Sequence, residues 1–236
     1  MPQNLQNAFI AAEDNRFYQH IGIDPIGIVR ALFTNLTNRG IAQGGSTITQ
    51  QLAKNAFLSQ EQTLKRKIQE AMLALEIEQK YSKKEILEMY MNQIYFGQGA
   101  YGIQTAAKTY FNKDVSELTL TQCALLAGLP KSPNYYSPFN NLSEAKQRTN
   151  VVLDQMAKYG YISQAEADQA KNQDLDLSKN HQTQESDENA SFIDYVSQQV
   201  AQKYGDDALY KEGLKIYTTL DVDKQHAARP GPAQPA

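Results

Sequence analysis

Glu13 lies in the stretch AAEDNRFYQH, Ala11 to His20, four residues after Phe9 and four before Phe17, with Leu5 one step further back. On a helix that spacing places a carboxylate on one face with three apolar side chains. Burial disfavours the ionised form, so a carboxyl held there titrates above its ordinary range and suits a general base. The same spacing also allows a second reading, a helix-end glutamate that reaches solvent or a cap.

Two further stretches carry chemistry. In QGGSTITQQLAKN, Gln43 to Asn55, Gly44 and Gly45 permit unusual backbone angles, Ser46 or Thr47 can cap the helix that follows, and Thr47 with Gln50 has capping-box spacing. Open N–H groups at such a helix start attract an anion, and Lys54 two turns on is placed to reach it. A plain capped helix fits equally well. The pattern places no base near Ser46, which argues against a serine nucleophile. In LKRKIQEAMLALEI, Leu64 to Ile77, Arg66, Lys67 and Glu70 share one side, while Leu64, Ile68, Met72 and Leu75 form an opposite stripe. Leu73 and Ile77 interleave with the charged trio, which suits a pocket-lining helix better than a wet one.

The elements that must position these groups are helical. Period 3.6 dominates from Asn4 to about Ala170, with helices expected over Thr63–Lys80, Lys83–Tyr95, Gln104–Phe111, Thr119–Leu129, Ser143–Lys158 and Ser163–Lys171. Ser82 and Glu85 form a capping box between the first two, and Ser143 and Ser163 read as caps of the last two. Pro130, Pro133 and Pro138 mark an irregular loop. Residues 172–190 read as a polar solvated loop, followed by a helix at Phe192–Tyr204 and one alternating strand, LKIYTTL, at 214–220. The last ten residues, 227–236, read as an appended tail. The fold class is mainly α with a short C-terminal β element.

Bulk properties exclude more than they assign. A formal charge of -3 gives no global attraction to nucleic acid, so any anion site must be local. The single cysteine, Cys123, rules out an internal disulfide and sits in the apolar run TQCALLAGL as a buried, inert thiol. No run reaches the length of a membrane span. Gly97-Gln-Gly99-Ala-Tyr-Gly102 imitates a dinucleotide fingerprint but follows a helix pattern, so it reads as a turn. Ser143-Glu-Ala-Lys146 imitates part of the penicillin-binding acylation set, yet no K-T-G follows. Three scattered histidines and one cysteine make no zinc site.

The stretches EDNRFYQHIGID, GGSTITQQLAKN, RKIQE, KKEILEMYMNQIYFGQGAYGI and LTQCALLAGLPKSPNYYSP occur in this order. In order and spacing the chain resembles the peptidoglycan glycosyltransferases of family 51, over about Leu5 to Lys171. The resemblance implies a lysozyme-like, two-lobed helical domain of a bifunctional class A penicillin-binding protein. It implies polymerisation of lipid II into glycan strands, with inversion at the donor sugar and loss of undecaprenyl pyrophosphate. By motif, Glu13 is the base, with Asp14, Phe17 and His20 supporting it. Gly45, Ser46, Thr47, Gln50, Gln51 and Lys54 lie by the donor pyrophosphate. Arg66 and Lys67 hold that group as it departs, with Glu70 orienting them or a metal ion. Asn92, Tyr95, Gly97 and Gly102 complete the fourth motif, more structural than chemical.

Implied partners are lipid II, the growing strand, the membrane surface and other cell-wall synthesis proteins, with no nucleic acid. A divalent cation, Mg or Mn, is the implied companion of the pyrophosphate, and no protein metal site is expected. The implied location is the outer face of the bacterial cytoplasmic membrane. The membrane helix and transpeptidase half are missing from this chain, and residues 191–226 resemble the connector toward that half. Ile26, Ile28, Val29, Leu32 and Phe33 fit either the membrane surface or the core. The rivals are a lysozyme-like hydrolase or lytic enzyme, and a non-enzymatic helical binding module.

Overall fold

The computed structural model describes residues 1–30, 45–57, 63–178, 216–220 and the isolated positions 192, 196, 199, 200 and 203. Chain contacts divide it into two units, Met1–Ser178 and Lys179–Ala236.

In the first unit the described elements are eight α-helices: α1 (Gln3–Glu13), α2 (Ile48–Phe57), α3 (Leu64–Lys80), α4 (Lys83–Gln93), α5 (Ile103–Phe111), α6 (Leu120–Gly128), α7 (Leu142–Lys158) and α8 (Gln164–Lys171). Short 3-10 turns occupy Phe17–Gln19, Val115–Glu117 and Leu129–Lys131, and residues 25–30 are helical. Helix α1 packs on α6 and α7, α7 packs on α8, and α2 packs on α3 and α4. Phe9 of α1 joins the two groups, meeting Tyr90 and Phe96 edge to face at 6.1 and 6.0 Å.

Local chemistry explains the boundaries. Ser82, Thr119 and Ser163 each close a full capping box, with Glu85, Gln122 and Glu166 respectively, as S/T-x-x-E/Q spacing dictates. Ser143 does not cap: α7 starts one residue earlier, behind Asn141, with no side-chain cap. The fourfold spacing through Glu13 also overran its helix. Asp14 leaves helical geometry at φ -155 and ends α1, so Phe17 is buried from a 3-10 turn rather than from α1 itself.

Helix α3 reverses an ordinary amphipathic helix. Glu70, Ala74 and Ile77 face inward, while the expected apolar stripe points out, with Leu64 80% exposed and Ile68 and Met72 also exposed. Residues 173–178, read as polar loop, pack on the helices: Leu175 is buried, its carbonyl accepts from Gln122 Nε2 at 3.1 Å, and Ser178 N–H donates to the Tyr110 carbonyl at 2.8 Å. Apolar Leu175 and Leu177 outweigh the polar residues around them.

The Gly97–Gly102 segment is a turn. Gly97, Gln98, Gly99 and Gly102 all have positive φ, and Tyr95 bridges Tyr101 in the one isolated antiparallel pair recorded among the described residues. A Cβ on Gly102 would stand 2.6 Å from the Asn92 carbonyl. In the second unit, residues 192, 196, 199, 200 and 203 are helical. The expected strand is absent from its described part: residues 216–220 lack regular structure, and Tyr217 is exposed. An alternating pattern forms a strand only against a partner edge. Residues 214–215 lie outside the described set.

Gly102→Ala combines a positive φ with a backbone clash, so urea unfolding should show a loss of about 2 kcal/mol or more.

Candidate active site

The carboxylate of Glu13 terminates α1 and faces a cleft of about 180 Å³. Ala11, Ala12, Asp14 and Asn15 line the cleft from the end of α1; Asp24, Gly27 and Arg30 line it from the segment that follows. Gly45, Ser46, Thr47 and Gln51 form a second wall, and Lys131, Arg148 and Gln155 a third. Burial pushes the Glu13 carboxyl above the usual carboxylate range. A hydrogen bond from Gln51 Nε2, at 3.0 Å, and the charges of Arg148 and Lys131 restrain that rise, while Asp14 adds to it.

Asp14 ties the first two motifs together. Its Oδ2 accepts from Ile48 N–H at 3.0 Å, at the start of α2, and from His20 Nε2 at 2.9 Å. His20 Nδ1 accepts from Gly22 N–H at 3.1 Å, so its proton sits on Nε2 and is directed at Asp14. His20 therefore orients a carboxylate and offers no free base. Thr47 and Gln50 are likewise spent on structure. Thr47 Oγ1 donates to the Gly22 carbonyl at 2.6 Å and accepts from Gln50 N–H, while Gln50 Oε1 accepts from Thr47 N–H.

The charged trio of α3 reaches this site through Ser46. Lys67 Nζ donates to Ser46 Oγ at 2.7 Å and to Glu70 Oε2 at 2.6 Å, and Arg66 pairs with the other oxygen of the buried Glu70. Both oxygens of Glu70 are thus occupied, and Arg66 Nε is buried with no acceptor among the described residues. No group of three or more His, Cys, Asp and Glu side chains among the described residues could hold a metal. Lys54 is partly buried further along α2 and does not line the cleft. Gly44 lies outside the described residues.

Asn92 and Tyr95 do not line the cleft either. Asn92 borders a separate, mostly apolar hollow between α2 and α4. Tyr95 packs against Tyr101 with ring centres 4.7 Å apart and planes tilted by 36°, and accepts from Gly99 N–H. Their places follow from the turn at Gly97–Gly102.

Sequence reasoning missed Arg30, Lys131, Arg148 and Gln155. Arg148 was detectable: it falls on the α7 face that buries Ala145 and Val152, and an arginine on an apolar stripe calls for a reason. Its Nε donates to the Gly128 carbonyl at 3.3 Å, and its guanidinium lies 5.9 Å from the Tyr136 ring centre. A Cβ on Gly128 would stand 2.9 Å from Arg148 Cγ, so Gly128 clears its path. Lys131 was hidden between Pro130 and Pro133, in a stretch read as loop. Burial and Arg148 draw its pKa down, and Glu13 pulls it back up.

A helical domain that sets one half-buried carboxylate against several cations is a candidate for group transfer onto a hydroxyl, with an anionic leaving group. A family profile described as Transglycosylase matches residues 1–157. Penicillin-binding protein 1A of Aquifex aeolicus is 51% identical over 229 residues, covering 97% of this chain and 31% of that protein. Penicillin-binding protein 1A of Neisseria lactamica is 49% identical over 228 residues, covering 96% of this chain and 28% of that protein. A 2.6 Å crystal structure of penicillin-binding protein 1A from Haemophilus influenzae aligns with TM-score 0.46 and 25% identity, over 89% of this chain and 21% of that one. The chain belongs to the transglycosylase family, the peptidoglycan glycosyltransferase domain of class A penicillin-binding proteins. It spans about a third of the length of these curated relatives.

Because the folded pKa of Glu13 is raised, its contribution to stability is fully present below the unfolded pKa and is lost as pH rises through the folded one. Glu13→Gln removes a carboxylate that is costly at neutral pH. Its melting temperature at pH 7 should therefore be no lower than that of the parent protein, and the difference should shrink on acidification toward pH 4.

Proposed function

We propose that the domain polymerises lipid II into β-1,4-linked glycan with inversion at the donor sugar, Glu13 acting as general base. The observation that supports this most is Glu13 itself, a carboxylate with a raised pKa facing Lys131 and Arg148 across one cleft. The acceptor 4-hydroxyl gives its proton to Glu13 as its oxygen bonds to the donor anomeric carbon. The bond from that carbon to the phosphate oxygen breaks, and undecaprenyl pyrophosphate leaves with the electron pair. Charge grows on the pyrophosphate, and cations held in place stabilise it.

Lys67, anchored on Ser46 and Glu70, and Arg66, whose buried Nε has no acceptor among the described residues, suit that role. Glu70 then acts by orienting both cations. A divalent cation, Mg or Mn, is proposed only as a companion of the pyrophosphate. Both Glu70 oxygens are taken, so Glu70 does not fit as its ligand while that pairing holds, and no step is derived through it.

The membrane surface and the growing strand are the proposed macromolecular partners. Ile26 and Val29, and Leu64, Ile68 and Met72 of α3, are exposed apolar groups suited to the surface on which a polyprenyl substrate resides. Leu32 and Phe33 lie outside the described residues. No helix among the described residues is long and apolar enough to cross a membrane. In a full-length chain like these relatives, the proposed location is the outer face of the cytoplasmic membrane.

With labelled lipid II, Glu13→Gln should lower polymerisation by ~10²- to 10⁴-fold while lipid II still binds, the range ascribed to one general base. Retained turnover would refute the base assignment. Release of soluble fragments from finished peptidoglycan by the parent protein would favour the hydrolytic reading instead.

A further inference from the structure

We infer that Tyr90 is a positioning residue for Glu13, acting through Gln51: its hydroxyl locks the Gln51 amide so that the N–H side faces the carboxylate. This rests on the reading of Glu13 as base. The three groups form a single chain, in which Tyr90 Oη donates to Gln51 Oε1 at 3.1 Å and Gln51 Nε2 donates to Glu13 Oε2 at 3.0 Å. Tyr90 is fully buried on α4 and does not line the cleft, so it cannot touch a substrate there.

The direction of the chain follows from its two ends. An ionised carboxylate only accepts, and a neutral phenol can donate. Burial, with Glu13 and Asp14 nearby, pushes the phenol pKa well up, so it keeps its proton at any working pH. An amide between those ends satisfies both in one orientation only, with oxygen toward Tyr90 and nitrogen toward Glu13. The reversed amide would set its oxygen against the carboxylate, a contact tolerated only if Glu13 holds a proton. The phenol thus favours the ionised form of the base through Gln51, from outside the cleft.

Removing the hydroxyl leaves Gln51 Oε1 without its donor and frees the amide to turn. Glu13 then loses the hydrogen-bonded restraint from Gln51, while the other groups that act on it remain: Arg148 on α7, Lys131 beyond α6, and Asp14 on its own segment. The pKa of Glu13 must rise.

The test is the pH profile of lipid II polymerisation for the parent, Tyr90→Phe and, as a control, Tyr110→Phe. Tyr110 is also buried, but its hydroxyl donates to the Phe96 carbonyl, remote from Glu13 in the hydrogen-bond network. Tyr90→Phe should move the acid limb upward by ~0.5 unit or more, with turnover recovering at high pH. Tyr110→Phe should leave the limb in place whatever it does to melting temperature. Gln51→Met should move the limb in the same direction, and adding Tyr90→Phe to it should move it no further. An acid limb unchanged in Tyr90→Phe, or one displaced additively in the double variant, overturns the positioning role. Turnover by Glu13→Gln defeats the base assignment instead, so the two failures are separable.

Discussion

The structure depends on keeping one carboxylate partly out of water while leaving it able to ionise. Glu13 is placed at the last turn of α1, a helix that packs on α6 and α7 and has already buried Leu5, Ala8, Phe9 and Ile10. Desolvation raises the pKa of such a group and works against its ionised, basic form. One amide and two cations offset it, each from a different element: Gln51 from α2, Arg148 from α7, and Lys131 from the turn after α6. The helices have to converge at this point for the reactivity to exist.

Much of the remaining polar framework fixes the distance between the base and the α3 cations. Asp14, immediately after Glu13, accepts from the first backbone N–H of α2, so the end of one helix is fastened to the start of the next. Thr47 and Gln50 close the cap behind it, and Ser46 passes the connection on to Lys67 and Glu70. Hydrogen bonds and the short main-chain stretch from Ser46 to Ile48 thus connect the segment carrying the general base to the cations suited to a departing anion. Ion pairs on a buried carboxylate such as Glu70 contribute less to stability than to geometry, because desolvation offsets much of their attraction.

The helical body was legible in the sequence because its boundaries carry chemistry that acts locally. The boxes at Ser82–Glu85, Thr47–Gln50 and Ser163–Glu166 are visible as spacings and are present as bonds. What was not legible depended on contacts between distant residues. Spacing pointed to α3 as a pocket-lining helix with apolar groups on both faces, but the burial of Glu70 and the exposure of Leu64 rest on the packing of α2 against it. Residues 173–178 looked like solvated loop until Leu175 found a place beside Gln122, and the strand expected at 214–220 has no partner edge in its described residues. Among candidate site residues, Glu13, Asp14, Gly45, Ser46, Thr47 and Gln51 line one cleft, while Asn92 and Tyr95 stand apart from it. The third wall, with Lys131 and Arg148, came from a proline-rich turn and from a helix that no motif had singled out.

The central claim is that residue 13 carries a carboxyl whose proton affinity is raised by burial and bounded by Gln51 and the two cations. The direct measurement is a carbon-13 NMR titration of the glutamate side-chain carboxyls, with the Glu13 signal identified by its loss in Glu13→Gln. The account predicts a midpoint for Glu13 clearly above those of the exposed Glu85 and Glu166, whose cap hydrogen bonds pull them down. A Glu13 signal that titrates alongside theirs would contradict it.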